Sequence, residues 1–142
     1  MSGKRVFLDT NIWVYLLASS QDAEDQRKKD IARQLLLDYP DVVVSVQVLN
    51  ELSNVWLKKF HLKLERVRLY LQRIGEITEV RLLDEALTFH ALVLLQTYNW
   101  SFYDSLIVAS AMEADCKLLF SEDMQNGQWI EARLQIRNPF VV

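Results

Sequence analysis

A chain of 142 residues, 51% hydrophobic and 25% charged, is long enough for about one globular domain with its own core. It contains no run of about 18 apolar residues, which excludes a membrane-spanning helix. A formal charge of −3 argues against broad electrostatic binding to nucleic acid, and a single cysteine, Cys116, allows no internal disulfide and fits a reducing, cytoplasmic setting.

Val6, Phe7 and Leu8 predict a short buried strand that stops at Asp9-Thr10-Asn11. Lys4 and Arg5 ahead of apolar residues ending in Ala18-Ser19-Ser20 have the outline of a secretory leader, but Asp9 and Asn11 split the apolar run. The segment therefore reads as a strand followed by a short helix over Ile12 to Leu17. Ser19 to Asp30 has no apolar period and reads as a solvated loop merging into a helix that carries Ile31, Leu35 and Leu36 and ends near Pro40.

Val42 to Val46 is a second β-branched strand. A helix from Ser45 or Val46 to about Phe60 follows, with Val48, Leu52, Val55, Trp56 and Phe60 as its buried stripe and Glu51 beside it. Next come a break at His61-Leu62, a helix from Leu64 to Ile74 stopped by Gly75, a short strand over Ile77 to Val80, and a helix from Leu83 to Tyr98. Asp104 to Ala114 is apolar nearly all round, as in a helix covered on most sides. Lys117 to Phe120 is a buried strand, Ser121 to Gly127 a polar turn region, and Trp129 to Ile136 a last strand before Asn138-Pro139-Phe140.

Strands alternating with helices imply one domain over residues 1–142, an α/β three-layer α/β/α sandwich around a parallel sheet of about five strands. Parallel strands joined by right-handed crossovers bring their carboxyl ends to one edge, so Asp9 and Asp123 should share it. Asp104 opens the covered helix and Glu51 borders an apolar stripe. Each acid has an ordinary alternative: Asp9, Thr10 or Asn11 as a helix cap, Asp104 as an N-cap, Asp123 as a turn residue, Glu51 as a surface residue. Taken together, with no His, Cys or Gly-rich phosphate signature to compete, the four read better as a cluster. Clustered carboxylates repel one another, and an all-oxygen set suits Mg²⁺ or Mn²⁺ better than Zn²⁺. The chemistry implied is metal-assisted attack of water on a phosphodiester. Without these four acids the remaining charge is about +1.

Phe-Leu-Asp9-Thr-Asn11, Asn50-Glu51-Leu, Phe102-Tyr103-Asp104-Ser-Leu-Ile-Val-Ala-Ser-Ala and Leu119-Phe-Ser121-Glu-Asp123-Met-Gln-Asn-Gly, in that order, resemble the PIN-domain ribonucleases. Within them the likeness is to the VapC-like toxins of type II toxin-antitoxin pairs, and it runs from about Arg5 to Phe140. The resemblance implies a PIN-like fold and a Mg²⁺- or Mn²⁺-dependent endoribonuclease, with Asp9, Glu51, Asp104 and Asp123 as catalytic and metal-holding acids. Asp9 and Asp104 would be direct ligands, and Asn11 and Ser121 would support the carboxylates or a water. It also implies an RNA substrate, a cognate antitoxin and a homodimer. Many relatives carry another acid where this chain has Gln125, so one metal is expected here rather than two.

Lys58, Lys59, Lys63, Arg66, Arg68 and Arg73 give the middle of the chain a positive bias that either guides RNA or forms a solvated helix face. His61 and His90 read as helix-end and helix-face residues. Trp13, Tyr15, Trp56, Trp100, Phe102 and Tyr103 read as core or interface aromatics, with base stacking open to one or two of them. Two alternatives stand beside the toxin reading: a housekeeping PIN nuclease of RNA processing, and a catalytically silent binding module.

Overall fold

A computed structural model describes residues 2–141. Strand β1 (Val6–Leu8) lies in the interior of a six-stranded sheet, hydrogen-bonded in parallel to β2 (Val42–Ser45) on one side and β4 (Leu118–Phe120) on the other. The sheet continues through β2 to β3 (Glu79–Arg81) and through β4 to β6 (Leu134–Arg137), both parallel. Edge strand β5 (Trp129–Ile130) is antiparallel to β6. The parallel part thus has the five strands the sequence implies, with one short antiparallel strand added. Every residue of β1, β2 and β4 is buried, which requires cover on both faces and explains why these strands are continuous apolar runs instead of alternating ones.

That cover comes from α1 (Thr10–Leu16), α2 (Ala23–Asp38), α3 (Val46–Asn54), α4 (Leu64–Ile77), α5 (Glu85–Tyr98) and α6 (Phe102–Glu113). Helix α1 packs on α2, and α5 on α6. In α6, Ser105 through Met112 are all buried, as its apolar circumference requires. The core also takes in Trp13, Leu52, Trp56 and Leu94.

Several boundaries differ from those read in the sequence, each for a local reason. Helix α2 starts at Ala23, where a loop was expected, because the Asp22 side chain accepts a bond from the Asp25 amide and Glu24 and Asp25 complement the amino-terminal dipole. Its apolar period is faint because only Ala32 and Leu35 are buried. Gly75 does not stop α4, which runs on to Ile77, and β3 therefore starts at Glu79. Helix α5 starts at Glu85, capped by Asp84, which leaves Leu83 outside it and exposed. The last strand is a hairpin, β5 and β6, turned through Glu131 and Ala132 at φ of 52° and 54°.

The long helix expected to reach Phe60 changes character after Asn54. Val55–Lys59 form a π turn, closed by the Phe60 amide donating to the Val55 carbonyl at 3.2 Å. The wider turn rotates Phe60 off the buried stripe, and it is 46% exposed.

Candidate active site

Parallel pairing of β1 with β4 in register, Leu8 opposite Phe120, puts Asp9 and Ser121 side by side at the carboxyl edge of the sheet. The Asp9 amide donates to the Phe120 carbonyl at 3.0 Å, and the Ser121 hydroxyl donates to Asp9 Oδ2 at 2.9 Å. Asp9 is also the N-cap of α1, since its Oδ1 accepts the Thr10 amide at 2.7 Å. Capping and a place in the cleft are therefore compatible at this residue.

Glu51, one and a half turns into α3, is held from two sides. Thr10 Oγ1 donates to its Oε2 at 2.6 Å and Gln47 Nε2 to its Oε1 at 2.7 Å, while the same Gln47 amide reaches the Tyr103 carbonyl at 3.1 Å. Gln47 thereby ties α3 to the start of α6, where Asp104 lies. Asp104 is not the cap of that helix: Ser101 is, accepting the Asp104 amide at 3.1 Å, which leaves the Asp104 carboxylate for the cleft. Asp123 is bound by Asn11 Nδ2 at 2.8 Å.

Asp9, Asn11, Glu51, Asp104 and Asp123 all line one cleft of about 240 Å³, with Asn54, Val55 and Ile107 completing its wall. Ser121 is fully buried beneath it, reaching it through Asp9. Among the described residues no Lys, Arg or His lines the cleft. Burial pushes the Asp9 carboxyl up to about 6, with the charges of Glu51 and Asp104 adding to the rise and the Thr10 amide and Ser121 hydroxyl opposing it. Burial also raises Asp123, helped by Glu122 and Asp104 and opposed by Asn11. Burial holds the Cys116 thiol at about 12, which leaves it without nucleophilic character.

Among the described residues no three acidic, His or Cys side chains converge into a ready-made metal cage. Both oxygens of Asp9 and of Glu51 are instead engaged by protein donors and one oxygen of Asp123 by Asn11, while among the described residues no side-chain or backbone donor binds the Asp104 carboxylate; all four retain acceptor capacity. Mg²⁺ suits such a site, because it keeps several waters and binds through one or two carboxylates instead of a closed protein cage. The all-oxygen donor set and the uncompensated negative charge on Asp9 fit a hard divalent cation.

Three contributors were not singled out from the sequence. Thr10 had only a capping role there, and Gln47 carried one signal, its four-residue spacing from Glu51 on a helix. Glu122 carried none. It receives the Tyr15 hydroxyl at 2.8 Å and pairs with Lys28, which also lies 4.7 Å from the Tyr15 ring centroid. This part-buried group pins the turn that carries Ser121 and Asp123.

Residues 6–125 match the PIN domain. Among curated proteins none matches the chain by sequence. Among solved structures, a toxin-antitoxin complex from Klebsiella pneumoniae aligns with 20% identity and a TM-score of 0.70 over 96% of this chain and 99% of that one. Mycobacterium tuberculosis VapC20, described as a toxin cleaving the sarcin-ricin loop, aligns with 21% identity and a TM-score of 0.66 over 83% and 91%. VapBC2 from Rickettsia felis, bound to promoter DNA, aligns with 21% identity and a TM-score of 0.62 over 94% and 98%. The family match spans most of the chain and contains Asp9, Glu51, Asp104 and Asp123: this protein belongs to the PIN-domain family.

Proposed function

We propose that the protein is a divalent-metal-dependent endoribonuclease, the VapC-like toxin of a type II toxin-antitoxin pair, acting in the cytoplasm. The observation that carries this reading is the convergence of four acids from separate parts of the chain on one cleft that, among the described residues, no cationic side chain lines. Asp9 and Asp104 would hold Mg²⁺ or Mn²⁺, with Glu51 and Asp123 completing the charge. A cation bound there lowers the pKa of a water and offsets charge on the scissile phosphate.

The chain's own part is positioning and proton handling. Thr10 and Gln47 fix Glu51, one on each carboxylate oxygen, and the remaining acceptor capacity of those oxygens would take the proton of the attacking water. Asn11 holds Asp123 across the cleft. Attack of water on phosphorus with departure of the 3′ oxygen leaves a 5′-phosphate and a 3′-hydroxyl. Products ending in a 2′,3′-cyclic phosphate would instead assign the nucleophile to the RNA and sink this mechanism.

The test is digestion of total cellular RNA by purified wild-type protein and by Asp104→Asn, each with Mn²⁺ and with chelator, and mapping of the ends. Discrete cuts that require metal and fall about a hundredfold in the variant are expected. Absence of cuts from folded, inhibitor-free protein would favour a silent binding module.

The toxin reading includes a cognate antitoxin, in keeping with the toxin-antitoxin assemblies among the structural neighbours. It also includes a homodimer, for which α5 offers a surface. Phe89 and Val93, one turn apart, are each 60% exposed, with Leu92 beside them. Phe89→Glu should convert a dimer to monomer in sedimentation without lowering the melting temperature; an unchanged molecular mass would place the dimer elsewhere.

A further inference from the structure

Asp123 differs from the other three acids in where it stands. Asp9 caps a helix at the end of a strand, and Glu51 and Asp104 lie on helices, whereas Asp123 lies in the turn between β4 and β5. Among the described residues its carboxylate has one donor, Asn11. A carboxylate on a turn is placed less precisely than one on a rigid element, and the like charges that share its cleft favour its swinging outward. Something beyond its own side-chain bond must hold it.

The segment after β6, Asn138-Pro139-Phe140, is arranged to do so. Asn138 grips both limbs of the turn: its Nδ2 donates to the Glu122 carbonyl at 3.2 Å, and its backbone amide donates to Asn126 Oδ1 at 2.9 Å. Its own Oδ1 accepts the Phe140 amide at 2.9 Å, closing an Asx turn over Pro139, whose ring fixes φ and whose nitrogen carries no hydrogen. That bond sets which way the Asn138 carboxamide faces, oxygen toward Phe140 and nitrogen toward Glu122. Phe140 is buried and packs edge-on against Tyr15 with centroids 5.2 Å apart, and the Tyr15 hydroxyl donates to the Glu122 side chain at 2.8 Å. Glu122 is thus held at its carbonyl by Asn138 and at its carboxylate by Tyr15 and Lys28, and the next residue is Asp123.

We infer that Asn138 is a positioning residue of the acidic cleft, acting through the backbone of Glu122 to fix where Asp123 stands relative to Asp9 and Asp104. The inference rests on the nuclease reading for the reaction and deepens it by naming what keeps the fourth acid in place. Asn138 touches neither substrate nor metal. Its contribution is to remove the freedom that a turn would otherwise leave to Asp123.

Two substitutions separate the bonds. Asn138→Asp keeps an oxygen for the Phe140 amide and puts a second oxygen, which cannot donate, opposite the Glu122 carbonyl. Asn138→Ala removes both side-chain bonds and adds no charge. Hydrogen exchange, Mn²⁺ titration and RNA cleavage are measured on wild type, on both variants and on Leu94→Val, a substitution buried on α5 outside the cleft wall that controls for lost stability. In chelator, amide exchange over 122–126 should quicken about tenfold in both Asn138 variants while β1 and β4 keep their protection. Both variants should weaken Mn²⁺ binding and lower kcat about tenfold with KM nearly constant. In an Asp123→Asn background the same substitutions should cost less than about twofold further, because the group they position is already lost. Leu94→Val should lower the melting temperature alone.

If wild-type protein cleaves RNA and the Asn138 variants keep its kcat and Mn²⁺ affinity, the positioning inference fails and the nuclease reading survives. If wild-type protein binds Mn²⁺ but cleaves nothing, and both variants weaken that binding as described, the inference stands and the nuclease reading fails. Losses that multiply in full with Asp123→Asn, or that Leu94→Val reproduces, are general destabilisation and overturn the inference. So does an effect confined to Asn138→Asp, which would come from its charge, and so does wild-type protein that binds no Mn²⁺.

Discussion

Replacing Asp9 by Asn is expected to do two opposite things: lower RNA cleavage by about two to three orders of magnitude and raise the stability of the metal-free protein. The loss follows, on the proposed function, from removing a carboxylate that lines the cleft. The gain follows from the rise of the Asp9 carboxyl to about 6, driven first by burial and then by Glu51 and Asp104. Because the folded-state value lies above the unfolded one of 3.8, the folded protein holds the extra proton between these two values. Stability from this group is therefore complete below the unfolded value and is lost as pH rises through about 6.

At neutral pH the wild type carries a penalty of roughly 2–3 kcal/mol that a neutral Asn does not. An Asn fits the site sterically. Its Oδ1 can accept the Thr10 amide, and its Nδ2 can donate to the Ser121 hydroxyl, which accepts as readily as it donates. Urea unfolding in chelator should show the variant more stable at neutral pH, with the difference vanishing in acid. A variant no more stable than wild type at neutral pH would mean that Asp9 is already compensated. Saturating Mn²⁺ should narrow the difference by stabilising wild type preferentially.

Trp13→Ala should cost about 3–5 kcal/mol, the range for emptying a fully enclosed aromatic site. Trp13 is 0% exposed, and its indole Nε1 donates to the Leu8 carbonyl at 3.2 Å. That carbonyl is the last of β1, immediately before Asp9, so one side chain both fills the core and anchors the strand end from which the Asp9 carboxylate projects. Trp13→Phe separates the two roles. It keeps most of the volume but leaves the carbonyl without its donor, and should cost about 1–3 kcal/mol. Denaturant midpoints at constant slope measure both. A cost for the Ala variant below about 1 kcal/mol would show that the neighbouring helix closes over the space.

The central strands were legible because burial on both faces writes them as unbroken apolar runs, and Asp9 and Asp123 because the first follows such a run directly and the second lies in the turn just after one. Glu51 and Asp104 were legible as acids set where solvation does not account for them. The π turn was not, because its residues keep the helical spacing that normally marks a buried stripe. Phe60 follows Trp56 at four residues, and only the extra residue in the turn turns it outward. Helix α2 was under-read for the opposite reason, since its stability comes from a cap and tertiary anchoring more than from an apolar face. The bond from Thr10 to Glu51 and the grouping of Tyr15, Lys28 and Glu122 join residues tens of positions apart, and nothing local in the sequence records them.

The interior position of β1 bears on how the protein is made. Strand β1 finds one partner early, in β2, but its other partner β4 lies 112 residues further along, the same separation that divides Asn11 from Asp123. Pairing across such a distance is slow, and it cannot begin until the distant strand has been synthesised. The acidic cleft is consequently among the last features to form. A chain from which β4 has not yet emerged holds the four carboxylates on separate, unassembled pieces, so whatever chemistry the cleft performs must wait for that strand.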